Sequence, residues 1–174
     1  MNRPEVDEVL RKIGRNVLNL QRIEAMLKYL VSRSSLRGDL ESLKTNHENA
    51  VNAVSQQTMG NLVKRFIESI YAESGLSERD DEQTKTAKYT FRFRVEATKE
   101  VVDATKAALE HIVLERNKLI HHMLVAFNHN SSESCRALSD QLDSQNDKIA
   151  IEYENLRTLV VTLRDGIIAL NALE

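Results

Sequence analysis

A chain of 174 residues is long enough to bury one real core. Aromatics at 5%, no tryptophan, one proline and five glycines exclude a β-sandwich and point to long helices in an all-α fold. A formal net charge of −2 excludes a global basic field for nucleic acid, so any RNA contact needs a local basic patch.

The first helix is expected from Pro4, harmless in a first turn, to about Ser32. Its apolar seam reads Leu10, Ile13, Val17, Leu20, Glu24, Leu27 and Val31, in steps of three and four, with one charged member. "SSLRGD" reads as a turn in which Asp39 caps a second helix reaching about Gln57. "QQTMGN" is a break, and a third helical piece runs through "NLVKRFIESIYAE" toward Gly75. Residues 77–88, "SERDDEQTKTAK", carry no apolar period and read as a mobile charged loop. "YTFRFRV" alternates Phe91, Phe93 and Val95 with Arg92 and Arg94. That pattern fits an extended segment or the entry into the next helix.

A long helix is expected from Glu96 to about Phe127, with a seam of Val102, Thr105, Leu109, Ile112, Arg116, Leu119 and Met123. "NHNSSE" is a turn, with Ser131 or Ser132 as the cap of a last helix from about Glu133 to Leu170. There Leu142, Ile149, Leu156, Leu163 and Leu170 recur every seven residues, interleaved with Asn146, Tyr153, Val160 and Ile167. A single domain over residues 1–174 follows: an elongated up-and-down bundle of four to five helices.

The N-terminus, "MNRPEVDEVL", has no apolar run, and no uncharged stretch is long enough to span a bilayer. The sole cysteine, Cys135, fits a reducing compartment. A cytoplasmic protein without a membrane anchor is expected.

The chemistry concentrates in residues 114–124, "LERNKLIHHML". At about 100° per residue, Arg116 projects between Ile112, Leu119, Ile120 and Met123, so it faces inward. A buried guanidinium requires acceptors, and Glu24, the acidic member of the first seam, is the expected partner. Asn117 and His121, four apart, share a neighbouring face. His122 projects elsewhere. His121 and His122 are adjacent and lack a carboxylate one turn away. His111 and Glu115 offer only two ligands, so no metal site or cofactor is expected. No serine or cysteine sits in a nucleophile elbow.

Arg116-Asn117-Lys118-Leu119-Ile120-His121 resembles the Arg-x(4–6)-His motif of the HEPN superfamily, in which a polar residue, commonly asparagine, follows the arginine. The resemblance implies a small helical bundle and a metal-independent endoribonuclease of single-stranded RNA. It also implies a homodimer that joins two motifs in one cleft. Toxin–antitoxin, phage-defence and RNA-processing systems are the settings it implies, with an antitoxin or regulatory protein as partner. Arg116 and His121 would be catalytic, with Asn117 and Glu24 assisting and His122 as the alternative histidine. Lys118, Arg92 and Arg94 would touch the RNA backbone, with Lys64 and Arg65 as further candidates. Met123 stands where a tyrosine stands in members silenced by a nucleotidyltransferase. The family carries the motif near a helix terminus, whereas this sequence shows no break near "LERN". The rival reading is a non-catalytic dimerisation or partner-binding module whose polar seam residues set helix register.

Overall fold

The computed structural model describes residues 3–39, 41–73 and 89–171. The expected charged loop at 77–88 lies outside the described residues. Helix α1 runs Arg3–Arg33 and α6 runs Ser132–Asn171. Their contacts advance together: Glu5 meets Arg136, Lys12 meets Asp143, Asn16 meets Gln145 and Asn19 meets Asn146. The first and last helices are therefore parallel and packed lengthwise.

Between them come β1 (Ser35–Gly38), α2 (Leu43–Ser55), α3 (Met59–Ile70), β2 (Tyr71–Glu73), β3 (Tyr89–Arg92), β4 (Val95–Ala97) and α4 (Lys99–Lys118). A π-helical turn, Leu119–Met123, and a short α5, Leu124–Ala126, complete the order. Helix α4 is antiparallel to α6: Thr105 and Leu109 lie by Leu156 and Leu159, while Glu115 lies by Gln145 and Lys148. The architecture is the expected all-α bundle.

Local signals held where they were strongest. Asp39 Oδ1 accepts from the Ser42 backbone N–H at 2.9 Å in the turn before α2, although the N-cap position itself falls to Ser42 rather than the expected Asp39. The break falls at Gln56–Thr58, where the Thr58 hydroxyl accepts from the Asn61 N–H at 3.4 Å. Ser131 caps α6 by accepting from the Ser134 N–H at 3.2 Å. Along α6, Leu142, Ile149, Leu156 and Leu163 are buried, as the heptad requires. The side chain of Leu170 lies outside the described set.

Three expectations are corrected. Residues 35–38 form a strand rather than a turn, antiparallel to β3 with Ser35 opposite Arg92 and Gly38 opposite Tyr89. Gly38 is needed there, because a Cβ would come within 2.7 Å of Ser42 Oγ and 2.9 Å of Asn46 Nδ2. The third helix ends at Ile70, not near Gly75. Tyr71 turns extended, its ring packs edge-on against Phe66 at 5.7 Å, and β2 pairs in parallel with β4. "YTFRFRV" is extended, so the next helix starts at Lys99 rather than Glu96. Phe91, Phe93 and Val95 pack against the core, while Arg92 and Arg94 are exposed.

The phase of α1 is also corrected. Its buried string is Val9, Asn16, Leu20, Ile23, Leu27, Leu30 and Val31, and Leu10 is 54% exposed. Leu20, Leu27 and Val31 keep their expected places, while Val9, Asn16 and Ile23 are buried in place of Leu10, Val17 and Glu24, which puts an asparagine inside.

That phase is testable by denaturant unfolding. Ile23→Ala should destabilise by about 2–5 kcal/mol, as buried large-to-small changes do. Leu10→Ala should stay within about 0.5 kcal/mol. Equal losses at both positions would restore the phase expected from sequence.

Candidate functional site

Helix α4 buries Leu109, Ile112, Glu115, Leu119 and Met123. The charged residue at the core position is thus Glu115, not Arg116. Arg116 is half-buried on the neighbouring flank, which faces α1.

Glu115 is only 7% exposed, and Lys148 and Gln145 compensate its charge with His111 alongside. Lys148 Nζ donates to Oε1 at 3.0 Å, Gln145 Nε2 donates to Oε2 at 3.1 Å, and His111 Nε2 lies 3.2 Å from Oε1. Gln145, itself buried, also donates to the Glu115 backbone carbonyl at 3.0 Å. Its amide oxygen accepts from Asn16 Nδ2 at 3.0 Å, and that same nitrogen donates to the Leu142 carbonyl at 2.8 Å. One polar residue from each of α1, α6 and α4 therefore meets inside the core. Burial pushes the Glu115 carboxyl up, but the Gln145 and Lys148 hydrogen bonds and the Lys148 charge outweigh it. They hold the group below its ordinary 4.5.

The α-helix ends one residue before the sequence's "LIHHM". The Leu119 N–H is shared between the Glu115 and Arg116 carbonyls, and the Leu124 N–H reaches back five residues to Leu119. This wider π turn is an arrangement often found at functional sites. Leu119 and Met123 anchor it in the core, and Ile120, His121 and His122 between them are exposed. The motif therefore lies within one helical run from Lys99 to Ala126, as expected from the sequence, and the π turn Leu119–Met123 is the irregularity inside it.

Beside the turn is a cleft of about 350 Å³, walled by Val17, Gln21, Glu24 and Lys28 of α1 and by Arg116 and Ile120. The expected Arg116–Glu24 ion pair is not formed. Glu24 Oε1 instead holds Lys28 Nζ at 2.9 Å, and Lys28 also donates to the Ser55 carbonyl at 2.9 Å. Among the described residues, Arg116 has no ion-pair partner. Its planar fork of donors thus faces an open, wetted cleft, where it can accept a phosphate or carboxylate.

The remaining candidates divide by position. Asn117, Lys118, His121 and His122 are exposed next to Arg116 in sequence, and neither histidine lines the cleft. Arg92 and Arg94 precede α4, at its other end, on the order of 25 Å from Arg116 along the axis. They are not brought to the motif. Lys64 shares a groove with Lys106 and Glu110 of α4, short of the motif. Among the described residues, no group of three or more His, Cys, Asp or Glu side chains could hold a metal ion. Cys135 is buried, and no helix there is long and apolar enough to cross a membrane.

Sequence reasoning missed Asn16, Gln145 and Glu115. The available signal was a polar residue in a three-four string on each helix: 9-16-20-23, 138-142-145-149 and 109-112-115-119. Compared with protein-family models, curated proteins and solved structures, the chain matches none.

The Glu115 network carries a pH signature. A carboxyl held below its ordinary 4.5 contributes fully above that pH, and its contribution fades as pH falls from 4.5 through the folded value. Glu115→Gln should therefore be less stable than wild type at neutral pH. The gap, measured by denaturant unfolding, should close as the solution is acidified below 4.5. A gap that widens on acidification would show that the carboxylate is not the paired form.

Proposed function

We propose that the chain is a metal-independent endoribonuclease of HEPN type acting on single-stranded RNA. The observation that carries this reading is the Arg116 guanidinium, unpaired among the described residues in an open cleft, on the helical segment whose following π turn bears two exposed histidines. A structural register pin would be buried and paired, as Glu115 is.

In this reading the ribose 2′-OH attacks the adjacent phosphorus. The bond from phosphorus to the 5′ oxygen of the next nucleotide breaks, leaving a 2′,3′-cyclic phosphate and a 5′-OH. His121 moves a proton to or from these oxygens, a task that suits an exposed imidazole at neutral pH. Arg116 binds the phosphate and offsets the charge that grows on its oxygens. Asn117 orients His121 or binds RNA, and Lys118 meets the backbone. Glu24, holding Lys28, bounds the cleft opposite Arg116 rather than anchoring it. His122 is the alternative proton carrier. Arg92 and Arg94 would meet only RNA extending toward the far end of α4.

One protomer supplies a single arginine, so the reading includes a homodimer with the motifs at its two-fold axis. Leu114, Ile120 and Val125, respectively 64%, 37% and 80% exposed on the segment that bears the motif, are apolar surface such an interface would cover. The same surface favours the second reading, a non-catalytic dimerisation or partner-binding module. An antitoxin or regulatory protein is a further partner of the first reading.

His121→Ala should abolish cleavage of single-stranded RNA while the melting temperature stays nearly unchanged, since the side chain is exposed. Arg116→Ala should also abolish it, with a stability change within about 0.5 kcal/mol, because no buried partner is orphaned. Wild-type cleavage should persist in EDTA and leave cyclic phosphate ends. Light scattering should give a dimer at micromolar concentration. A dimer that leaves every RNA intact would establish the module reading, and a monomer would overturn the composite cleft.

A further inference from the structure

We infer that Gln145 is a positioning residue: its buried side chain holds the π turn that presents His121 and His122. The catalytic part of this inference rests on the ribonuclease reading, and the structural part does not.

The geometry runs through one amide. Gln145 Nε2 donates to the Glu115 carbonyl at 3.0 Å and to the Glu115 carboxylate at 3.1 Å, and it touches Met123 Sδ at 3.9 Å. Glu115 lies one turn before the π turn, and Met123 is its last residue. The amide therefore grips both ends of the segment containing the two histidines. In a regular α-helix the Glu115 carbonyl would receive the Leu119 N–H alone. Here a side chain takes part of that carbonyl's capacity, and the Leu119 N–H divides between Glu115 and Arg116. The Glu115 carbonyl thus accepts the Leu119 N–H and the Gln145 amide together, at the point where α-helical bonding gives way to the π turn.

The amide cannot rotate away. Its oxygen accepts from Asn16 Nδ2 at 3.0 Å, and the Glu115 carboxylate it binds is held at 3.0 Å by Lys148 of α6. The orientation of the imidazoles relative to Arg116 is thus set from α6, a helix that contributes no side chain to the cleft.

The test uses Gln145→Met, which keeps bulk but removes the donor, and the double variant Glu115→Met with Gln145→Met. The double variant removes the carboxylate and the amide together, and the buried Asn16 amide keeps its Leu142 carbonyl, so the bundle stays folded, less stable by the one bond Asn16 loses. Imidazole resonances of His121 and His122, and amide exchange across 119–124, should shift in both variants. Melting of the double variant should fall, since Asn16 loses its partner, but remain a single cooperative transition. Cleavage kcat should fall about tenfold or more with KM changed less than about twofold, as expected of misplaced reacting groups.

Unmoved imidazoles and unchanged exchange in the folded double variant would overturn the inference, whatever the RNA assay shows. Shifted imidazoles in a protein whose wild type cuts no RNA would uphold the structural role while removing the ribonuclease reading. Shifted imidazoles with unchanged kcat in an active enzyme would overturn the catalytic part.

Discussion

The lengthwise pairing of α1 with α6 is the constraint on which the rest of the molecule depends, and Asn16 with Gln145 sets its register. Each is buried in an otherwise apolar string. Sliding one helix by a turn would bring their amides against leucine or isoleucine, and an unmet buried hydrogen bond costs about 1–3 kcal/mol. The apolar residues alone would tolerate several registers. The polar pair selects one, at some cost in stability relative to a wholly apolar seam.

That selection places Gln145 where α4 must dock. Glu115 brings a charge into the core, which is tolerable only because Gln145 and Lys148 receive it from α6 and His111 from its own helix. With Glu115 inward, Arg116 is turned to the flank that faces α1. Glu24, the nearest acid on that wall, is engaged by Lys28. The result is a separation of charge within two consecutive residues: one carboxylate neutralised inside the bundle, one guanidinium open to the cleft. An ion pair between Arg116 and Glu24 would have closed that opening.

The strand pairs govern the opposite end. β1 with β3 and β2 with β4 tie the connections after α1 and α3 to the segment before α4. They give the backbones of short extended segments hydrogen-bond partners that none has alone. They also keep Arg92 and Arg94 away from the motif, whose own segment supplies Arg116 and Lys118.

Much of this was legible in the residues. Helix limits at Arg33 and Ser132, the break before Thr58, the turn at Asp39, the cap at Ser131 and the leucine heptad of α6 depend on neighbours within a turn or two, which sequence displays directly. The segment 114–124 could be singled out for its arginine, asparagine and histidines. What only the tertiary structure decided was rotation and pairing. A helix turned by one residue keeps its three-four spacing, so Leu10 against Val9, or Arg116 against Glu115, differ only in what the neighbouring helices offer. Gln145 and Lys148 offered partners to a carboxylate, and so Glu115 went in. The strands needed partners remote in sequence, and the Glu115 carbonyl ahead of the π turn accepts from a side chain of another helix. Local chemistry determined where the helices begin and end. Contacts between distant residues determined which face is inside, and hence that Arg116 stands in the cleft.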